Sequence, residues 1–386
     1  MKLPLILAGA AILAAPVTAQ SNADLEAKID ALAAELESLQ LQDVMPVVGE
    51  SKYGLGPAAS KVYSKDQGLS IGGYGEGIFK QQDSGDTFDW YRHIMYFGYK
   101  FDEHWVLNTE VELEHVGEVF VEFAYIDYLG LTENMNFRTG LMLNPMGLIN
   151  EYHEPTTYLA ANRSQTESVI IPSTWRENGV GVFGETGGFD YKLYYMNGMD
   201  GADWDGTNSS LRGGRQKGAK AKAEDWAMVA SANYVDIPGV RIGASMYSGD
   251  SGQGGDLGDM STDIFEVHAE YKSGPFWFRA MMANAEVGDR LDDPGTADDP
   301  LTPEDENFVE GDMDLTGTYY ELGYNLLDGG ESALYPFVRL EEIDANGTTT
   351  EYTTFGVHYR PIDQICFKLD KCDETDTTSF VIGYVF

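Results

Sequence analysis

The chain has 386 residues, with 63 Asp and Glu against 25 Lys and Arg and a formal charge of −38. No apolar run approaches the roughly 20 residues that a spanning helix needs, so a helical membrane protein is excluded. With 44 Gly, 23 Tyr and 18 Phe, the hydrophobicity comes as alternation rather than clusters, which fits a soluble enzyme poorly and a membrane β-barrel well.

Residues 1–19 carry the marks of a secretory signal peptide: Lys2, an apolar run from Leu3 to Val17, and Val17 and Ala19 at the −3 and −1 positions before Gln20. Residues 20–42 change character. Leu25, Ile29, Leu32, Leu36 and Leu39 form a heptad seam, expected as a short coiled-coil helix on the periplasmic side. A lone amphipathic surface helix fits the same pattern. Residues 43–66, with Pro46, Gly49, Gly54, Gly56 and Pro57 and no sustained period, read as a linker.

From residue 67 to 386 alternation predicts an all-β transmembrane antiparallel barrel of about sixteen strands. The candidate strands are 68–80, 90–101, 104–115, 119–129, 135–143, 177–184, 189–197, 226–235, 239–248, 262–272, 275–286, 316–326, 334–343, 351–360, 363–369 and 378–386. The links sort by length, as outer-membrane barrels require: short turns such as 185–188 and 236–238 alternate with long loops at 144–176, 198–225, 249–261 and 287–315. Val116-Gly117-Glu118 is the exception, short where a long loop is due. The stretch before the first strand is too short for the plug domain of a TonB-dependent transporter.

Strand 104–115 sets the faces. Trp105, Leu107, Thr109, Val111 and Leu113 point one way, and Asn108, Glu110, Glu112 and Glu114 the other. A charge facing lipid is costly, so the acids belong to the lumen. The same parity places Arg92, Lys100, Arg138, Arg241, Arg339 and Arg360 inside, together with Glu266, Glu270, Glu321 and Glu341. A lumen this wide and charged holds water and needs a loop to narrow it. Loop 144–176, less acidic and more apolar than the others, is the candidate. Its Glu151, Glu154, Arg163 and Glu167 are expected at the constriction, facing Arg92 and Arg138; a plain surface loop is the alternative.

Two other loops carry charge. Residues 212–222 hold Arg212, Arg215, Lys217, Lys220 and Lys222, suited to anionic solutes or lipid phosphates. Residues 286–314 hold twelve Asp or Glu against Arg290, suited to divalent cations that bridge lipopolysaccharide. Simple solvated outer loops explain both, since charge runs usually keep loops in water. The acidic loop lacks the order of an EF-hand, and six scattered His give no metal-ligand spacing, so neither metal nor cofactor is expected. No Ser/His/acid grouping or nucleotide motif points to an enzyme. Nucleic acid is not an expected partner.

Cys366 and Cys372 stand six apart; in an export compartment they could pair, but only if the chain reverses between them. The chain ends Phe380-Val381-Ile382-Gly383-Tyr384-Val385-Phe386, with aromatics at alternate positions. This ending resembles the terminal strand of outer-membrane barrels, whose final Phe the barrel-assembly machinery recognises.

Three segments carry a wider resemblance: 137–147 (FRTGLMLNPMG), 176–180 (RENGV) and 189–198 (FDYKLYYMNG), with Pro336-Phe337-Val338-Arg339 beside them. Over about 67–386 the chain resembles the phosphate-selective porin O/P family in its broad sense. The resemblance implies a sixteen-stranded homotrimeric channel with a folded-in third loop, and a three-stranded coil at 20–42 would match a trimer. Family members that select phosphate use an arginine ladder and a lysine cluster, whereas this chain presents Glu on strand 104–115. The leading expectation is a passive porin for small hydrophilic solutes with weak or cation-leaning selectivity. A substrate-specific anion (phosphate) channel is the alternative, and an adhesin or enzyme on a barrel comes from another class.

Overall fold

The computed structural model describes residues 51–204, 209–255, 258–288 and 313–386, and Lys28 apart from them. The expected signal peptide 1–19 lies outside the described residues, and so does the heptad segment 20–42 except for Lys28. Sixteen strands form: β1 Gly68–Gln81, β2 Thr87–Lys100, β3 Trp105–Glu114, β4 Glu118–Thr132, β5 Met135–Leu143, β6 Arg176–Thr186, β7 Phe189–Asn197 and β8 Trp226–Tyr234, followed by β9 Val240–Asp250, β10 Ser261–Ser273, β11 Phe276–Val287, β12 Met313–Tyr324, β13 Ala333–Ala345, β14 Thr348–Ile362, β15 Ile365–Cys372 and β16 Thr377–Val385. Each expected strand is present, with its ends displaced by three residues at most.

Every strand pairs antiparallel with its chain neighbours, and β1 pairs with β16 to close the barrel. Closure leaves no edge with unpaired backbone groups, which is what allows strands to cross a bilayer. Phe386 completes the seam. Its N–H donates to the Gly73 carbonyl at 2.8 Å, and the Gly73 N–H donates to the Phe386 carbonyl at 3.0 Å.

The period-2 alternation separates the two faces as expected. On β3, Val106, Asn108, Glu110 and Glu112 are buried inside, and Trp105 is exposed outside. On β12, Tyr319 and Glu321 face in while Tyr320, Leu322 and Tyr324 face out. The outer face is thus apolar, and its aromatics gather at the strand ends. Trp105–Tyr128, Phe189–Tyr234 and Phe276–Tyr324 pair at the short-turn end. Tyr195 stacks on Trp226 at the other. Two such belts are the interfacial girdles of a membrane barrel.

All long links emerge at one end, but that end is uneven. Links 82–86, 115–117, 346–347 and 373–376 are short, and 144–175 and 198–225 are long. Because β16 adjoins β1, the short outer links sit together over β13–β16 and β1–β4, making a low rim on one side.

Residues 51–66, the described part of the stretch expected as a linker, pack within the barrel. Leu55, Ala58, Ala59 and Val62 are buried, and Lys61–Ser64 forms a 3-10 turn. The Tyr63 hydroxyl donates to Asp127 Oδ2 at 2.6 Å on β4, and Asn108 Nδ2 donates to the Ala59 carbonyl at 3.0 Å on β3. Gly98 on β2 makes the approach possible, since a Cβ there would lie 2.5 Å from Val62. A strand glycine at a close contact is the expected signature of such an approach.

The two cysteines are free. Both lie on β15, near its opposite ends, and positions six apart on a strand are about 20 Å apart. The chain reversal that a disulfide requires does not occur.

Candidate functional site

The loop 144–175 enters the lumen. Its neck is tied by Asn144 N–H donating to the Trp175 carbonyl (2.9 Å), while Asn150 Nδ2 donates to both the Asn144 and Trp175 carbonyls. From this neck the loop crosses to the far wall, where its backbone polar groups would be unsatisfied without partners. The strands supply them. Lys368 Nζ donates to the Ala160 carbonyl at 2.9 Å, Asp370 Oδ2 accepts from the Ala161 N–H at 2.5 Å, and Arg339 Nη1 donates to the Asn162 carbonyl at 3.0 Å. Glu341 accepts from the Gln165 N–H at 2.6 Å, and Arg279 donates to the Thr157 carbonyl. Leu159 packs on Trp277, Tyr335 and Phe337. These contacts run from β11 round to β15, so the loop is a partition and not a flap.

The lumen wall is charged, yet register neutralises much of it. Glu76 stands opposite Arg92, Asp127 opposite Arg138, Glu270 opposite Arg279 and Glu321 opposite Arg339. The closest N–O distances are 2.7 Å for Arg92–Glu76, 2.8 Å for Arg138–Asp127 and 2.6 Å for Arg279–Glu270. Arg339 lies 3.6 Å from Glu321 and 2.5 Å from Glu341. Cross-strand opposition of unlike charge suits a buried wall, where an unpaired charge is costly.

Between the inserted loop and the low-rim wall lies an open cavity of about 760 Å³. Its floor holds Arg92, Arg163, Arg339, Glu76, Glu341 and Asp370, and Asp83 and Asp89 stand nearer its mouth. Of the expected constriction residues, Arg92, Arg163 and Arg339 line this cavity. Glu110, Arg138, Glu151, Glu154 and Glu167 have structural partners instead. Glu151 pairs with Lys192, and Arg138 is held by Asp127 and lies over the Tyr125 ring. Glu154 accepts from the Ala58 and Ala59 N–H groups at 2.8 and 3.1 Å, joining the loop to segment 51–66. Burial lifts the Glu154 carboxyl to about 7, against those two amides. Glu167 accepts from the Leu148 and Ile149 N–H groups and from the Tyr319 hydroxyl.

Glu110 and Glu112 are buried on β3. Glu110 meets two residues that were not singled out from sequence: His153 Nε2 lies 3.3 Å from Glu110 Oε1 and 3.2 Å from Glu122 Oε2. Burial acts to lower the imidazole, but Glu110 and Glu122 outweigh it and raise His153 to about 9.

In the described part of loop 198–225, Arg212 and Arg215 reach the inserted loop, while Lys217, Lys220 and Lys222 are exposed. Arg212 Nη1 donates to the Ser173 carbonyl (2.5 Å), and Arg215 Nη1 donates to the carbonyls of Pro172 and Thr174. Burial, with Arg212 and Arg176 nearby, lowers Arg215 to about 9. Arg163 hydrogen-bonds to Ser173 Oγ at 3.3 Å. Arg163 and Arg212 both line the cavity, and neither makes an ion pair among the described residues. Most of the acidic stretch 286–314 lies outside the described residues.

No protein-family model matches the chain. Among solved structures, it is similar to a loop-deletion mutant of OmpT from Vibrio cholerae, at 15% identity and a TM-score of 0.55, covering 83% of this chain and 100% of that one. It is similar to Salmonella typhi OmpF, solved with daunomycin, at 13% identity and a TM-score of 0.55, covering 83% and 98%. An anion-selective porin from Comamonas acidovorans gives 12% identity and a TM-score of 0.51, covering 83% and 100%. These likenesses establish a porin-type fold. In sequence, the chain is 33% identical over 367 residues to an uncharacterized protein of Aquifex aeolicus (strain VF5), covering 87% of this chain and 82% of that protein. The chain therefore belongs to the same family as that Aquifex aeolicus protein.

Proposed function

We propose that the chain is an outer-membrane porin through which small hydrophilic solutes and ions diffuse passively. The observation that carries this reading is the charged cavity left open between the inserted loop and the low-rim wall, inside a closed barrel with an apolar outer face. A mixed-charge, hydrated passage of that kind admits polar solutes without holding them. Opposed pairs cancel much of the wall charge, so selectivity is weak. In this reading the barrel is a homotrimer set among outer-membrane lipid and lipopolysaccharide, segment 20–42 is a periplasmic coiled coil, Phe386 is the signal read by the assembly machinery, and no enzymatic step is involved.

A substrate-specific channel for phosphate or another anion is the second reading, favoured by Lys80, Arg163 and Arg212, which line the cavity and make no ion pair among the described residues. Liposome swelling separates the two. Proteoliposomes of the refolded barrel should swell in isosmotic neutral sugars at rates that fall smoothly with solute size. Swelling confined to phosphate or other anions would replace the general porin with the specific channel, and no swelling with any solute would remove both.

A further inference from the structure

The buried trio Glu110, Glu122 and His153 joins β3, β4 and the inserted loop, and all three residues are at most 2% exposed. Their ligand atoms lie within 4.8 Å of one another. The His153 orientation is fixed from behind, because Nδ1 lies 2.8 Å from the Asn150 carbonyl and can only donate to it. Nε2 therefore faces two carboxylates. If neutral, it turns a lone pair toward them; if protonated, it carries a single hydrogen for two oxygens. The hydrogen-bond geometry serves Glu110 Oε1, while Glu122 Oε2, although 3.2 Å away and buried, has no hydrogen-bond donor among the described residues. Glu122 is itself held in place through its other oxygen, which accepts from Thr174 Oγ1 at 2.5 Å and lies 3.2 Å from Arg176 Nη1.

The distances point the same way. Charge-assisted N–H···O contacts run at about 2.7–2.9 Å, and both contacts here are longer. A tetrahedral ion with bonds of about 2.1 Å separates its ligands by about 3.4 Å, close to the 3.2 and 3.3 Å observed. Buried acids also outnumber the nearby cations. Glu110, Glu112, Glu122 and Glu154 gather here, Arg92 is already taken by Glu76, and among the described residues Arg176 is the one arginine or lysine paired with Glu122, beside His153.

We propose that Glu110, Glu122 and His153 bind one divalent transition-metal ion of the zinc class, which fastens the inserted loop to the β3–β4 wall. One imidazole and two carboxylates make a mixed N/O donor set that suits Zn²⁺, Co²⁺ or Mn²⁺ better than Ca²⁺ or Mg²⁺, which favour all-oxygen shells. The carbonyl behind Nδ1 and the Thr174–Arg176 pair behind Glu122 are the outer partners such a site needs. The inference does not depend on what passes through the barrel.

The test uses the refolded full barrel in detergent, stripped with a chelator and titrated with Co²⁺ alone. The expected result is one tightly bound ion per chain with visible ligand-field bands of a low-coordinate N/O site, displaced by Zn²⁺. His153→Gln and Glu122→Gln should each abolish the bands while the barrel keeps its heat-modifiable gel mobility. X-ray absorption of the Zn²⁺ form of the unsubstituted chain should show imidazole scattering, so the answer stands even if a variant fails to fold. Absence of stoichiometric binding in the folded barrel, an all-oxygen shell, or bands that survive His153→Gln would overturn the site.

Discussion

Arg163→Glu tests where ions travel. The Arg163 side chain lines the cavity and, among the described residues, makes one hydrogen bond, to Ser173 Oγ, while its carbonyl accepts from the Arg339 side chain. The substitution therefore changes charge with little change in scaffold. A cavity of about 760 Å³ corresponds to a sphere of radius about 6 Å. At that range one unit charge in water contributes about 0.7 kcal/mol, and reversal changes the charge by two, giving about 1.4 kcal/mol. Screening with a Debye length of about 10 Å at 0.1 M salt reduces this to about 0.8 kcal/mol. The effect has opposite sign for K⁺ and Cl⁻, so their permeability ratio shifts by about 1.5 kcal/mol, roughly tenfold toward cation. Reversal potentials in a KCl gradient across a planar bilayer read that ratio directly. An unchanged ratio in a variant of normal conductance would mean that ions do not pass Arg163, and the cavity would lose its place on the path.

Three further outcomes follow from the same geometry. Gly98→Leu should destabilise the barrel by about 1–3 kcal/mol through collision with Val62, read as a lower unfolding midpoint by heat-modifiable mobility, and Val62→Ala should restore part of it; additive losses would deny the contact. Asp370→Ala removes the acceptor for the Ala161 N–H and leaves it buried, worth about 1–3 kcal/mol at one anchor of the partition. Its single-channel current should be larger or noisier, and an unaltered current would show that the anchor does not set the opening. Cys372 lines the cavity while Cys366 is buried, so a small charged thiol reagent should modify Cys372, lower the conductance and spare Cys366; a Cys366–Cys372 disulfide in the folded monomer would contradict the single continuous β15.

Much of the barrel was legible because alternation encodes it directly. Trp105 to Glu114 specifies its strand and both of its faces, since lipid and water impose opposite demands on neighbouring positions. Loop 144–175 was legible as an inserted segment from its apolar, weakly acidic composition. The roles of its acids were not. Glu151, Glu154 and Glu167 look like pore charges in sequence, and only the fold shows them accepting from Lys192 or from backbone N–H groups. Segment 51–66 escaped because Leu55, Ala58, Ala59 and Val62 follow no period and sit among Gly and Pro. The inward Gly98 was the available signal, meaningful only once its partner is known. His153 met Glu110 and Glu122 through loop insertion, which no local spacing records.

Single-channel recording on the purified, refolded chain in a planar bilayer tests the central claim most directly. The account predicts stepwise, ohmic conductance in KCl that persists in the wild-type barrel and responds to Arg163→Glu in its ion preference. A barrel shown to be folded and inserted that passes no current would contradict it.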